Sequence, residues 1–416
     1  ITDVSDHARD QGGALLARQP IFSRNKKLMG YELLCRSTDM NLTNAQATAD
    51  VMVNAFSEVS LRNIVGDNFC FINFSADLLH VLLPFTNKRV VIEILEFTTV
   101  DDELISTIEL LKAKGYQIAL DDFEISAESI KLLPYADIIK LDVLNLGREK
   151  ATQHFKKLSQ LDGVKLLAEK VEDDDSYRHY HDLGFDYFQG YFYHQPEIIE
   201  GQALAPIKTQ MLNLLSETFN YPLNYETVAE IISHDVNLTV GLLKMVNNVA
   251  TGTRVEITSL KQAAAYLGEE KLRQFVSILA LSNLTSETTD EVCKQALITG
   301  KMMLALSSND AFKSVNDFAF ITGLLSAIEI MLSMPMAEIM KTLPLAEPIE
   351  TALVKHDGLL GQLLDLTTSF ILGHEKLKTD GSLTHSLDQY SLDKTFVQDE
   401  FLKASQWCND LNIEVT

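Results

Sequence analysis

The sequence predicts an α/β fold followed by an all-α fold: a TIM-like (β/α) barrel and then a helical domain. Between about residues 14 and 196, short apolar runs alternate with longer segments of helical periodicity, a pattern typical of parallel strands covered by helices. From about residue 202 onward, apolar residues instead recur three and four positions apart, as they do along amphipathic helices. The chain of 416 residues is long enough for both domains.

Eight apolar runs predict the strands of the barrel. They read ALLARQPIF, KLMGYELLCR, FCFINFS, VVIEILE, YQIALDDF, ADIIKLDV, VKLLAEKVE and FDYFQGYF. About eight strands within fewer than 200 residues fit a compact barrel best. An open doubly wound sheet is the alternative.

Helices are expected between several of these runs, over residues 51–59, 101–114 and 127–133. Asp101 or Asp102 can cap the second helix, because an aspartate oxygen accepts hydrogen bonds from the free N–H groups of a first turn. In the same way, Ser126 or Ser129 can begin the third.

A change of pattern at residues 196–201 divides the chain. We predict a polar N-terminal tail (1–13), a barrel domain (14–200) and a helical domain (201–416). Within the last, residues 376–394 are polar and are expected to form a loop before a final helix that contains Trp407.

The composition predicts a soluble protein with an acidic surface. Apolar residues make up 46% of the chain, and its formal net charge is −23. Such a surface repels phosphate backbones, so we expect no general nucleic-acid binder. An anionic ligand can still bind where a bound cation reverses the charge locally. Membrane insertion is not expected, because the longest apolar stretch, residues 321–340, contains two glutamates. The four scattered cysteines favour a cytoplasmic location.

Polar side chains follow nearly every predicted strand of the first half. They are Glu32, Asn73, Glu93, the pair Asp121-Asp122, Lys140, Glu169 and Gln189. One polar residue at a strand end is more often a helix cap or a loop residue. In a (β/α) barrel, however, the carboxyl ends of all strands converge on one face, where enzymes of this fold have their active sites. Polar residues at the ends of so many successive strands therefore predict a single polar site.

The oxygen donors in this set suit Mg²⁺ or Mn²⁺ and not zinc. Five oxygen ligands exceed what one hydrated Mg²⁺ takes from a protein, so a two-metal site is plausible, of the kind that hydrolyses phosphodiesters. In such a site Lys140 orients the attacking water or screens charge, and Glu169 accepts the proton of that water.

These residues lie in motifs that resemble the EAL domain, the phosphodiesterase that hydrolyses cyclic di-GMP to linear pGpG. The motifs are Glu32-Leu33-Leu34-Cys35-Arg36, Asn73-Phe74-Ser75, Glu93-Ile94-Leu95-Glu96, Asp121-Asp122-Phe123, Lys140-Leu141-Asp142, the segment from Ala168 to Glu172, and Gln189-Gly190-Tyr191 followed by Pro196. The resemblance covers about residues 14 to 196.

The resemblance implies a role for each site residue. Glu32, Asn73, Glu93 and Asp121 hold the first metal, and Asp122 reaches the second. Lys140 and Gln189 position water, Glu169 is the general base, and Gln19 and Arg36 contact the dinucleotide. A guanidinium such as that of Arg36 also matches phosphate oxygens on chemical grounds alone.

The sequence departs from the family pattern beside the second metal. The family's D-D-F-G-T-G loop here continues with Glu124-Ile125-Ser126, so both glycines are absent. Glu96, which anchors this loop in the family, is retained, but Leu95 replaces a threonine and Lys170 replaces a glycine. Two functions are therefore open: an active phosphodiesterase, or a weak or inactive domain that serves as a cyclic di-GMP receptor or protein scaffold.

The second half resembles the HDOD domain, an all-α relative of HD-type phosphohydrolases without their metal site. The motifs are Asp235, Leu238, Leu242, Leu243 and Asn247, followed by Ile257, Ser259, Leu260, Ala263, Leu267 and Gly268. The resemblance implies a regulatory or partner-binding role, with a protein partner not identified and a possible homodimer. The pairs His234-Asp235 and His356-Asp357 allow an HD-type site as an alternative, but Asp357 precedes a glycine and is more simply a turn residue.

Overall fold

The structure is a computed structural model that describes residues 15–36, 64–74, 89–194, 206–219, 222–233, 236–249, 260–284, 290–343, 345–372 and 387–411. The predicted helix at residues 51–59 and the pair His234-Asp235 lie outside these residues. The chain divides into two compact units, one of residues 1–192 with 369–402 and one of residues 193–368 with 403–416. The domain boundaries given above stay predictions.

Eight strands form a closed barrel in the order β1 to β8. They are β1 (Leu15–Ser23), β2 (Leu28–Arg36), β3 (Phe69–Phe74), β4 (Val90–Ile94), β5 (Gln117–Leu120), β6 (Ile138–Asp142), β7 (Lys165–Glu169) and β8 (Tyr187–Gln189). Each predicted apolar run overlaps one of them. The barrel prediction is confirmed, and the open doubly wound sheet is wrong.

The first strand corrects the prediction of an all-parallel barrel. β1 is antiparallel to both β2 and β8, whereas the other neighbours are parallel. Only residues 24–27 separate β1 from β2, and a parallel connection needs a dozen residues or more. The short spacing between the first two apolar runs was the signal for this hairpin.

Three described helices follow strands of the barrel: α1 (Asp102–Ala113), α2 (Val143–Leu158) and α3 (Asp174–Leu183). Each begins after an aspartate whose side chain accepts a hydrogen bond from a backbone N–H of the first turn; these are Asp101, Asp142 and Asp173. The predicted cap at Asp101 is confirmed. The helix expected over residues 127–133 is instead a 3₁₀ helix over Ser129–Tyr135.

The barrel interior contains a layer of apolar side chains. Its members are Ile21, Phe71, Val91, Ala119, Ile138 and Leu167, with Tyr187 packed against them. Alternate residues of a strand face the same side. On each parallel strand, the residue two positions after a layer member therefore also points inward, nearer the carboxyl end. On the antiparallel β1, that residue comes two positions before Ile21.

In the described residues beyond 205, every regular element is helical, as predicted. The helices are α4 (Pro206–Glu217), α5 (Tyr225–Ser233), α6 (Val236–Val249), α7 (Leu260–Leu267), α8 (Glu269–Ser282), α9 (Asp290–Leu306), α10 (Asn316–Leu325), α11 (Ile328–Leu332), α12 (Met336–Thr342), α13 (Glu347–Lys355), α14 (Gly358–Leu372) and α15 (Lys394–Asp410). Lys313–Leu332 is long and apolar enough to cross a membrane by length and composition alone, but 61% of its most apolar window is buried inside the protein, as in a core helix.

Gly190 is required where β8 ends. Its φ is +142°, and a Cβ added there would overlap the backbone of Val171. Val171 accepts a hydrogen bond from Phe192 N and donates one to Gln189 O. This close approach therefore joins the carboxyl ends of β7 and β8.

We predict that Gly190→Ala destabilises the protein by more than about 3 kcal/mol, because backbone strain and overlap add together. Gly163→Ala is the matched control. Gly163 also has a positive φ, +82°, but nothing lies within 4 Å of an added Cβ, so this change should cost only about 1 kcal/mol. Thermal unfolding monitored by circular dichroism measures the stability of the two variants. Equal losses of stability would contradict the packing role of Gly190.

Candidate active site

The predicted site residues lie on one rim of the barrel, directly above the apolar layer. Asn73, Glu93, Asp121, Lys140, Glu169 and Gln189 each follow a layer residue by two positions, and Gln19 precedes Ile21 by two. Glu32 pairs with Gln19 across the β1–β2 ladder. The strand period thus brings eight side chains from eight strands to one site, as the sequence predicted.

The Lys140 ammonium lies at the centre of four carboxylates. Its Nζ is 2.6 Å from Glu93 Oε1, 2.7 Å from Asp121 Oδ1, 2.9 Å from Glu169 Oε1 and 3.2 Å from Glu32 Oε2. The side chains of Lys140 and Glu93 are completely buried. One positive charge therefore faces four negative groups in a site that water barely reaches.

This imbalance shifts the proton affinities of the site. Burial raises the pKa of Glu93 well above its usual value, and the neighbouring Glu32 raises it further, while Lys140 opposes both. Burial likewise raises the pKa of Glu169, against the attraction of Lys140. Burial alone would lower the pKa of Lys140, but the four carboxylates outweigh it and raise that pKa. Lys140 therefore stays protonated.

Amide side chains position Glu32. Asn73 Nδ2 donates to Glu32 Oε1 at 3.1 Å, and Gln189 Nε2 donates to Glu32 Oε2 at 2.8 Å. Gln189 Nε2 also lies 3.0 Å from Gln19 Oε1. Both oxygens of Glu32 are thus held by neutral donors in addition to Lys140.

A second group of charges lies next to the first. Asp142, the last residue of β6, is buried and forms a short ion pair with Lys170, the residue after β7. Asp122 lies nearby, and its pKa is raised to about 6 by burial and then by Asp121, while Lys170 opposes the shift. Asp142 and Lys170 were given no role from the sequence, although Asp142 follows the same strand-end rule.

The loop after Asp122 is held without the glycines of the family. Of residues 121–126, only Asp122 has a positive φ, +41°. Glu124 is exposed and pairs with Lys150 of α2 at 2.8 Å, and the Ser129 hydroxyl donates to Glu124 O at 2.6 Å. From Phe123 to Ser126 the loop therefore adopts a backbone conformation that does not require glycine.

Glu96 is not seen in its expected role as loop anchor. It is exposed in the turn after β4 and, among the described residues, makes no hydrogen bond or ion pair. Its charge only adds to the repulsion on Asp122. The contacts of Glu124 and Ser129 hold the loop instead. Arg36 ends β2, and its side chain lies outside the described residues.

The donor set fits a divalent cation. Oxygen atoms of Asn73 (Oδ1), Glu93 (Oε2), Asp122 (Oδ1) and Glu169 (Oε2) are buried without a hydrogen-bond partner in the described part of the chain, and such atoms normally have one. Within the same residues, no three His, Cys, Asp or Glu side chains surround a common point as metal ligands do. The Lys140 ammonium lies among the four carboxylates.

The pair His356-Asp357 does not form a second site. Asp357 Oδ1 accepts a hydrogen bond from Gly358 N at 2.8 Å, so it is a turn residue as expected. His356 lies in the left-handed region and contacts Asp365 on the surface. No metal-binding group includes either of them among the described residues.

Comparisons with known protein families match a different family to each half of the chain. The EAL domain family matches residues 59–196, and the HDOD domain family matches residues 204–350. The EAL match begins after β2, yet the structure places Gln19 and Glu32 of β1 and β2 in the same barrel.

Two relatives match almost the whole chain. The protein named cyclic di-GMP phosphodiesterase CdgJ, from Vibrio cholerae serotype O1, is 32% identical over 95% of this chain and 93% of its own length. YuxH from Bacillus subtilis is 32% identical over 95% of this chain and 98% of its own length. A standalone EAL protein from Vibrio cholerae O395, with cyclic di-GMP bound, is 22% identical over 44% of this chain and 91% of that chain, with a TM-score of 0.37.

We predict that Lys140→Met destabilises the metal-free protein by about 3–5 kcal/mol at pH 8, because it leaves buried carboxylates without their counter-charge. The loss should shrink toward pH 5, where carboxyl groups with raised pKa values take up protons and the buried charge disappears. Lys112→Met is the control: Lys112 pairs with Asp137 at 2.7 Å, but both side chains are about one third exposed, so it should cost about 1 kcal/mol or less. Equal, pH-independent losses would refute the central role of Lys140.

Proposed function

Because the chain belongs to the family of proteins that join an EAL domain to an HDOD domain, we propose that it is a phosphodiesterase that hydrolyses cyclic di-GMP to linear pGpG with divalent cations, Mg²⁺ or Mn²⁺. The observation that carries this proposal is the buried cluster of Glu32, Glu93, Asp121 and Glu169 around Lys140. Four carboxylates around one ammonium leave a surplus of negative charge. Bound cations would compensate it and would also attract an anionic substrate to a chain of net charge −23.

The oxygen donors divide into two sets. Glu32, Asn73, Glu93 and Asp121 would hold the first cation, and Asp122 would reach the second. Two bound divalent ions stabilise the charge on the attacking and leaving oxygens of a phosphodiester. The unpartnered oxygens of Asn73, Glu93 and Asp122 support this assignment.

Glu169 is proposed as the general base. Lys140 holds its Oε1 at 2.9 Å, while Oε2 has no partner among the described residues, so a fixed carboxylate presents one free oxygen to water. Burial raises its pKa, which makes it a better proton acceptor. As Glu169 takes the proton, the water oxygen bonds to phosphorus and the bond from phosphorus to the ribose O3′ breaks. The O3′ takes up a proton from solvent to become the 3′-hydroxyl of linear pGpG.

The other residues would position the reactants. Gln189 holds Glu32 and lies beside Glu169 at the end of the neighbouring strand, so it can orient water together with Lys140. Gln19 and Arg36 would contact the dinucleotide. The helical half would serve as a regulatory or partner-binding output in the cytoplasm; its partner and a homodimer stay predictions.

The alternative is a receptor or scaffold that binds cyclic di-GMP without hydrolysis. The observations that favour it are the altered sequence of the loop after Asp122 and the charge of Lys170 beside the site. Release of pGpG distinguishes the two functions, because only the enzyme forms it.

The first experiment measures pGpG by chromatography after cyclic di-GMP is incubated with the purified chain and Mn²⁺. We expect turnover in the wild type and none in Glu32→Ala. Mn²⁺ should also raise the unfolding temperature of the wild type more than that of the variant, because a ligand that binds the folded state stabilises it. Binding of cyclic di-GMP without pGpG in the wild type would refute the enzyme and favour the receptor.

The second experiment separates the base from the ligands. Glu169→Gln keeps the size and a hydrogen-bonding group but cannot accept a proton, so the rate should fall by about 10²–10⁴-fold while cyclic di-GMP still binds. Glu128→Gln, at an exposed glutamate paired with Lys131, is the control and should leave both unchanged. A loss of affinity as large as the loss of rate would make Glu169 a binding residue instead.

A further inference from the structure

Lys170 is an unusual residue for its position. It follows Glu169 directly and adopts a φ of +56°, a left-handed conformation that is strained for any residue but glycine. Its side chain is 24% exposed, yet its ammonium reaches back to pair with the buried Asp142. A residue retained despite backbone strain beside an active site invites a functional explanation.

The environment of Lys170 is strongly negative. Asp142 is 4% exposed, and its carboxylate already accepts a hydrogen bond from Asn145 N as the cap of α2. Asp122 is the next carboxylate, with one buried oxygen that has no partner in the described part of the chain. Phe123 N donates a hydrogen bond to Lys140 O at 3.0 Å, which places Asp122 next to β6, the strand that ends at Asp142. Lys170 is thus the cation that this second group of carboxylates faces.

We propose that Lys170 is a built-in counter-cation that competes with the second divalent ion at Asp122 and thereby determines how tightly that ion binds. A fixed ammonium beside Asp122 repels an incoming cation and already compensates part of the charge that attracts it. Lys140 and the carboxylates of Glu32, Glu93 and Asp121 are unchanged in every variant. The affinity for the first cation should therefore be unaffected. This inference rests on the proposed function, because it concerns the second metal of the same site.

The test is the binding of Mn²⁺ to the full chain, followed by the electron paramagnetic resonance signal of free Mn²⁺ as the metal is titrated. We expect the wild type to bind one Mn²⁺ tightly and a second weakly. Lys170→Met removes the charge but keeps the side-chain bulk and the strain, and it should tighten the second ion on the order of tenfold or more. Lys170→Arg keeps the charge and should bind as the wild type does.

Two further variants keep the outcome clear. Lys26→Met is the matched control, because Lys26 is another left-handed lysine, φ +55°, which pairs with Asp174 elsewhere in the same unit; it should not change Mn²⁺ binding. Lys170→Gly removes both charge and strain. If Lys170→Gly tightened the second ion and Lys170→Met did not, backbone strain and not charge would set the affinity, and the proposal would be overturned.

Failure of this inference differs from failure of the proposed function. If the wild type and Lys170→Met both bound two ions, and the second ion with the same affinity, the role of Lys170 would be refuted. The two-metal site would still stand. No Mn²⁺ bound by the wild type or by any variant would remove the metal site itself, and with it the proposed chemistry.

Discussion

The charge of the buried Lys140 ammonium holds four carboxylates together at the end of the barrel. Four carboxylates enclosed at the end of a barrel repel one another and lose their hydration, and each costs several kcal/mol unless it is paired. Lys140 contacts all four within 3.2 Å. It thereby permits a concentration of negative charge that a folded interior would otherwise exclude. The surplus that remains is what makes the site suited to cations.

The position of this cluster follows from the strand period and the closure of the barrel. Each apolar residue of the interior layer is two positions from a polar residue on the same face, so the core and the site are built by the same strands. Packing of the layer therefore also fixes the depth of the carboxylates. Gly190 shows the precision this demands, since the space beside Val171 has no room for a single methyl group.

The departures from the family pattern are resolved by local contacts. The loop after Asp122 lacks glycine and is held by Glu124, Lys150 and Ser129. Lys170 retains the left-handed conformation that a glycine would adopt freely and offsets the strain with an ion pair to Asp142. In both places a charged residue stands where the family has a glycine, and both residues lie close to Asp122. The group of carboxylates around Asp122 is therefore the part of the site that departs most from the EAL family pattern.

The fold class and most members of the site can be predicted from the amino-acid pattern, because both depend on periodicity. Apolar runs mark the strands, and a polar residue after each run, as at Glu93 or Glu169, marks the rim. Only the tertiary structure shows that Lys140 contacts four carboxylates and that Lys170 pairs with Asp142. These features join residues far apart in the chain, such as Glu32 and Lys140, and no local pattern encodes the distance between two side chains that meet only when the barrel closes.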